Sequence, residues 1–191
     1  MQTALDLATQ NLATAQQAAD SAKALAASWG PTGDNTRALK VVTGILTGSL
    51  SGEAIGQLAA NASAPYAAQA IGDYFAQPGH ENQTAQLVTH AVLGAVLAAA
   101  NGGNAAAGAS AGAGGELAAQ VISKELYPQA YDSNGNFHPD KLNPNELNTV
   151  IGLSTAVGAL VSGVVGASAM DVSVGASIAA NAAEFFKLVV A

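Results

Sequence analysis

A chain of 191 residues is long enough for one domain or two small ones, and half of it is apolar, but only four Phe, four Tyr and one Trp supply bulk. Alanine dominates the rest, so any core is thin, with backbones close together and many small contacts replacing a few large ones, at roughly 25 cal/mol per Å² buried. Six basic against thirteen acidic residues, net charge −7, argue against a nucleic-acid partner, whose binding draws on Lys and Arg displacing phosphate counterions, and the absence of cysteine excludes disulfides, thiolate nucleophiles and Cys-ligated zinc.

The first residues carry Asp6 where a signal peptide carries basic residues, so export would need an upstream part or another route. From Thr3 to Ser28 there is neither Pro nor Gly. Leu5, Ala8, Leu12, Ala15, Ala19, Ala22, Ala26 and Trp29 recur at alternating three and four spacing, which predicts one amphipathic helix with a narrow seam, either a coiled-coil strand or an arm lying on the rest. Gly30-Pro31-Thr32-Gly33-Asp34-Asn35 ends it, so the expected domains are 1–33, an N-terminal helix and linker, and 34–191, a helical domain.

A second helix starts near Thr36. In it Gly44, Gly48, Gly52 and Gly56 recur every four residues and predict one bare stripe where another backbone can approach. Ala64-Pro65 is expected to interrupt, with Ser63 capping a short helix through Tyr66, Ile71, Tyr74 and Phe75. Leu87 to Ala100 reads as a buried helix in an uncharged run whose length raises the question of a membrane. Another helix follows Asn104 and reaches Tyr127, with Gly108 and Gly112 one turn apart and Pro128 closing it.

Gln129 to Pro144 is the most polar stretch and predicts an exposed loop. Asn143-Pro144-Asn145-Glu146 then combines a cap, a proline at the first helical position and a Glu at the third, and predicts a helix to about Ala167 with Gly158 on a small-residue stripe. Ser173 is expected to cap a last helix carrying Ile178, Phe185, Phe186 and Leu188. The expected fold is all-α, an Ala/Gly-rich bundle of about six helices. Gly44, Gly48, Gly52, Gly56, Gly108, Gly112 and Gly158 are its candidate helix-interface positions.

Candidate chemistry is sparse. Asp132, Asn134 and Asn136 match the first three oxygen positions of a calcium loop, but Phe137 stands where that loop needs glycine and Asn143 where it needs a bidentate Glu, so an Asn-Gly turn is the expectation. His80, His90 and His138 are too scattered for a local zinc motif, and His90 reads as a hydrogen-bonded core residue. Gly102 to Gly115 lacks the Lys-Ser/Thr ending of a phosphate loop. The carboxylates lie in loops and at helix ends, and an acid–base pair of His138 with Asp140 is the one enzymatic arrangement to weigh. No catalytic residue, cofactor or metal is expected, and the chain is expected not to be an enzyme.

Ala64-Pro65-Tyr66 through Gln69-Ala70-Ile71, His90-Ala91-Val92-Leu93-Gly94-Ala95, Gly108 to Gly115 followed by Glu116-Leu117-Ala118, and Leu126-Tyr127-Pro128 share their wording with a known family. So do Leu142, Glu146, Thr149-Val150, Gly175-Ala176 and Asn181-Ala182-Ala183-Glu184. Over about Thr36 to Glu184 the chain resembles the pretoxin domain of CdiA-type contact-dependent growth-inhibition effectors.

The resemblance implies a module between a surface filament and a variable toxin, secreted or at the cell surface with a periplasmic stage, reaching the target-cell envelope. Its partners would be toxin or filament segments of the same system and a transient membrane contact, with no nucleic acid. The family ends this stretch in Val-Glu-Asn-Asn, whose asparagines are associated with backbone cleavage. The same register here reads Ala183-Glu184-Phe185-Phe186, which has no side-chain amide, so release by that chemistry and an attached toxin are not expected. The function expected is a non-enzymatic delivery module; the alternative is a pore former inserting Leu87 to Ala100 and the twenty uncharged residues Ile151 to Met170.

Overall fold

Helix starts in this chain are set by short side chains that take the backbone N–H groups a first turn leaves unpaired. Asn82 accepts from the Ala85 amide, Asn104 from those of Ala106 and Ala107, and Ser168 from that of Asp171. Asn143 accepts from the amides of Asn145 and Glu146 while the Glu146 carboxylate takes the Asn143 N–H, completing a capping box with Pro144 at the first position. The computed structural model describes residues 2–186 and is all-α there, with seven helices. They are α1 (Gln2–Ser28), α2 (Asp34–Leu50), α3 (Ile55–Phe75), α4 (Gln83–Ala100), α5 (Ala105–Leu126), α6 (Pro144–Gly166) and α7 (Ala169–Glu184). Leu188 and the side chain of Leu5 lie outside the described residues.

The chain divides into two compact units, Met1–Leu39 and Lys40–Ala191. In the first, α1 ends where Gly30 and Gly33 close two turns through the Ala27 and Gly30 carbonyls. A Cβ at Gly33 would overlap the Ser28 carbonyl, so only glycine fits that bend. Arg37 is buried and bonds the Asp34 carboxylate at 2.9 Å and the Thr32 carbonyl at 3.1 Å.

In the second unit α5 is the central helix, packed against α4, α6 and α7, while α6 packs on α7 and α3 on α4 and α7. The contacts are made at backbone distance. A Cβ at Gly108 would overlap the Gly94 carbonyl, one at Gly112 the His90 carbonyl, and ones at Gly115 and Gly158 the Ala179 residue of α7. Such interfaces draw on dispersion over close-packed backbone and little on large side chains.

Three local expectations change. Pro65 lies inside α3, which begins at Ile55, and the Ser63 hydroxyl bonds back to the Ala60 carbonyl at 2.9 Å instead of capping a new helix. Proline removes one helical hydrogen bond, and here the buried packing of Ala64, Pro65 and Ala68 carries the helix through it. The cap of α7 is Ser168, five residues ahead of Ser173, because Ala167 turns into the left-handed region (φ 58°) and ends α6 abruptly. The polar stretch after α5 is pinned: Ala130, Phe137 and Leu142 are buried with Ala119, Leu147, Val150, Ala183 and Phe186. Its apolar residues anchor it, while the Asp132-to-Gly135 turn, with Gly135 at φ 85°, and residues 139–141 stay at the surface.

Two glycines of α6 give this packing a sign. Gly152 faces open space, so Gly152→Ala is expected to raise the thermal midpoint, since alanine is favoured over glycine in a helix interior by roughly 1 kcal/mol. Gly158→Ala drives a methyl into Ala179 and is expected to cost about 1–3 kcal/mol. Thermal melts of the two proteins that shifted in the same direction would show that α6 does not meet α7 at this distance.

Candidate functional site

The register Ala183-Glu184-Phe185-Phe186 closes α7 against the bundle. Ala182 and Ala183 are buried, Glu184 takes an ion pair from Lys40, and Phe185 and Phe186 are 4% and 3% exposed. Gly72 of α3 makes room for the Phe185 carbonyl, which a Cβ there would overlap. The Phe186 ring stacks on Phe137 with centroids 4.7 Å apart, and Phe137 in turn lies 5.3 Å from Tyr131. Among helices that meet mostly through alanine and glycine, this aromatic group is a bulky plug, and it joins the end of α7 to the anchored loop.

A second cluster is polar and wholly interior. His90 of α4 and Glu116 of α5 are both buried, with Nε2 and Oε2 3.7 Å apart, just beyond hydrogen-bond length. Gln120 donates to the other Glu116 oxygen at 3.4 Å, and Gln83 donates to Gln120. Burial pushes the Glu116 carboxyl up to about 8 from an ordinary 4.5 and brings the His90 imidazole down to about 4 from 6.5, each towards its uncharged form. Gln86 Nε2, His90 Nε2 and Glu116 Oε2 have no hydrogen-bond partner, at a cost of about 1–3 kcal/mol for each buried group. The apolar helix around His90 pointed to a hydrogen-bonded core residue; His90 is buried, but its Nε2 has no hydrogen-bond partner, and nothing local in the sequence separates Glu116 from an ordinary helix-end acid.

The projecting turn uses its own carboxylate. Asp132 accepts the amides of Asn134 and Asn136 at 2.9 Å each, the Asn136 side-chain amide at 3.0 Å and His138 Nε2 at 3.2 Å. These bonds, the backbone N–H of Asn136 first, hold its pKa well below the usual carboxylate range. Both oxygens of Asp132, the first of the calcium-loop positions, are spent within the turn, and the partner of His138 is Asp132, not Asp140.

The glycines named from their spacing fall into two groups. Gly108, Gly112 and Gly158 stand where another helix leaves no room for a Cβ, and Gly48 stands against Leu58 and Glu53. Gly44 and Gly56 face open space, and Gly52 forms the turn after α2 with φ 79°. Gly44 borders a groove of about 480 Å³ whose floor includes Leu97 and Ile178 and whose rim includes Asn61, Asn101 and Glu184. Two helices, α4 and α6, are long and apolar enough to cross a membrane by length and composition. Only one face of α4 is buried, against the expectation of a buried helix: Val88, Val92 and Val96 look outward, as do Leu160 and Val164 of α6.

With this architecture in place, comparison with known proteins gives the class. Residues 139–184, covering the loop's end, α6 and α7, match the family described as a pre-toxin domain with VENN motif. The chain is 35% identical over 127 residues to a tRNA nuclease CdiA of Escherichia coli O6:K15:H31, covering 66% of this chain and 4% of that protein. It is 39% identical over 114 residues to a 16S rRNA endonuclease CdiA of Enterobacter cloacae subsp. cloacae (59% and 3%), and 32% identical over 146 residues to a tRNA nuclease CdiA of E. coli strain STEC_O31 (76% and 4%). Residues 139–184 therefore match a pre-toxin domain, and the chain is similar over most of its length to a short stretch of CdiA toxins. It spans about 4% of the length of the curated relatives it matches. No solved structure matches it.

These relatives correct one expectation and remove the ground of another. The chain was expected not to be an enzyme, whereas relatives over most of its length are named for cleaving tRNA or 16S rRNA. The exclusion of nucleic acid falls with it: a charge of −7 on a stretch spanning 4% of a relative does not report the charge of the whole.

The aromatic plug carries a direct test. Phe186→Ala is expected to destabilise the second unit by about 3–5 kcal/mol, as for other buried aromatic truncations, while Val92→Ala on the outward face of α4 stays within about 0.5 kcal/mol. Denaturant titration of both variants measures the difference, and a Phe186→Ala protein as stable as the parent would refute the plug.

Proposed function

We propose that this chain is the pre-toxin module of a secreted, contact-dependent growth-inhibition toxin, and that it holds or presents a toxin segment during export and transfer to a target bacterium. The observation that supports this reading is the burial of Ala183, Phe185 and Phe186 at the register of the family's terminal motif. Phe185 and Phe186 are thereby a fixed point on the bundle, held by α3, α7 and the anchored loop. The partners are toxin or filament segments of the same system, and the names of the relatives support a cargo that acts on RNA. In this reading residues 1–33 are an N-terminal helix and linker, residues 34–191 the pre-toxin domain, and the route runs through the periplasm and cell surface to the target-cell envelope.

The glycine interfaces supply the mechanism. Helices held by close backbone contact, with one aromatic plug, separate with a modest loss of buried apolar area, which suits a module that is packed at rest and opened in passage. The interface positions for this role are Gly108, Gly112 and Gly158, with Gly48 at its smaller contact.

In a toxin fusion, Gly112→Leu and Gly158→Leu are expected to reduce growth inhibition of neighbouring cells at least about tenfold, while the outward-facing Gly152→Ala leaves it unchanged. Full delivery by variants whose bundle no longer forms, judged by circular dichroism, would defeat the reading. Dye release from liposomes by the purified chain would replace it with a pore built on α4 and α6.

A further inference from the structure

The interface between α4 and α5 is tied in two ways. Along most of its length the tie is backbone contact, Gly94 on Gly108 and the His90 carbonyl on Gly112. One turn further along α5 it is a polar layer of Gln83, Gln86 and His90 from α4 with Glu116 and Gln120 from α5, all but Gln83 buried. That layer is under-satisfied in a particular way. Three of its polar atoms have no partner, and two of them, His90 Nε2 and Glu116 Oε2, lie 3.7 Å apart, beyond hydrogen-bond length. An alanine-lined interface needs none of these side chains for packing, and each unpaired atom weakens it.

We infer that this layer is a proton-operated latch. The proton that keeps the buried Glu116 carboxyl neutral keeps α4 seated on α5, and its loss as the medium turns mildly alkaline releases α4. The inference stands on the fold alone and does not depend on the delivery role.

The direction follows from the two groups together. Glu116, raised by burial, brings stability that is complete below its unfolded value of 4.5 and is lost as pH rises towards 8. His90, lowered by burial, brings stability that is complete above its unfolded value of 6.5 and is lost as pH falls towards 4. Between 4.5 and 6.5 the folded and unfolded chains each bind one proton at this pair and stability is level. From 6.5 to 8 only the folded chain holds it, so each pH unit loosens the latch about tenfold.

Other titratable groups on the packed elements have partners elsewhere or lie at exposed positions. Tyr131 reaches the layer through the Gln120 carbonyl at 3.4 Å, and burial raises its hydroxyl above 10. Asp171 and Glu184 of α7 bond Asn104 N–H and Lys40, and Glu146 of α6 bonds Asn143 N–H. On α3 Tyr74 stacks on His80, and Asp73 lies near the helix end. Lys124 and Glu125 of α5 are exposed.

Hydrogen exchange on the full chain tests this. After correction for base catalysis, opening of the α4 amides is expected to increase about 30-fold from pH 6.5 to 8 and to stay flat between 4.5 and 6.5. Glu116→Gln, which copies the protonated carboxyl, should abolish the rise and leave protection at pH 6.5 unchanged. A flat wild-type profile, or an equal rise in Glu116→Gln, overturns the latch. If that variant does not fold, the carboxyl carbon resonance of Glu116 in the native chain decides: a midpoint near 8 supports the latch, and one near 4.5 overturns it.

Discussion

The second unit depends on α5 being approached from three sides at backbone distance. Gly108 and Gly112 admit α4, and Gly115, with Gly158 across from it on α6, admits Ala179 of α7. Everything else follows from the volume this arrangement withholds. A helix that presents glycine to every neighbour cannot also present leucine, so area-driven stability per contact is low and the bundle has to be held by the number and closeness of its contacts.

That constraint explains why bulk and polarity are concentrated in two places. The aromatic side chains Phe137, Phe185 and Phe186 gather where α7 ends, because the loop after α5 is the one neighbour whose backbone does not run alongside a helix and leaves space for a ring. The polar layer sits between α4 and α5 because Gly112 brings the two backbones so near that the next turn of each has to direct its longer side chains into the same small volume. Gln86, His90 and Glu116 are longer than that volume can satisfy, and the unpaired atoms are the result.

How much of this was legible in the sequence follows the range of the forces involved. Caps act over three residues, so Asn104 and the Asn143–Glu146 box announced their helices directly. Proline also acts locally, but Pro65 misled, because the burial of Ala64 and Ala68 that sustains α3 is a tertiary effect. Glycine spacing told which face of a helix is bare and not whether a partner fills it. The same interval of four gives Gly108 and Gly112 a backbone neighbour and leaves Gly44 and Gly56 none. Nor did local polarity show that Phe137 and Leu142 would draw the loop into the core, or that Glu116 would meet a histidine 26 positions earlier in the chain.

The two concentrations meet α5 through different neighbours, the polar layer through α4 and the plug through the loop, with Tyr131 bonding the Gln120 carbonyl between them, and they make different demands on a module that has to open. The aromatic plug is apolar and insensitive to pH, and it fixes the end of α7 whether or not α4 is seated. The polar layer carries almost no apolar area and holds a single proton, so it can yield while the plug remains. Packing that separates these two ties lets one helix leave without dissolving the attachment point at Phe185 and Phe186, which a uniform leucine core, cooperative throughout, would not allow.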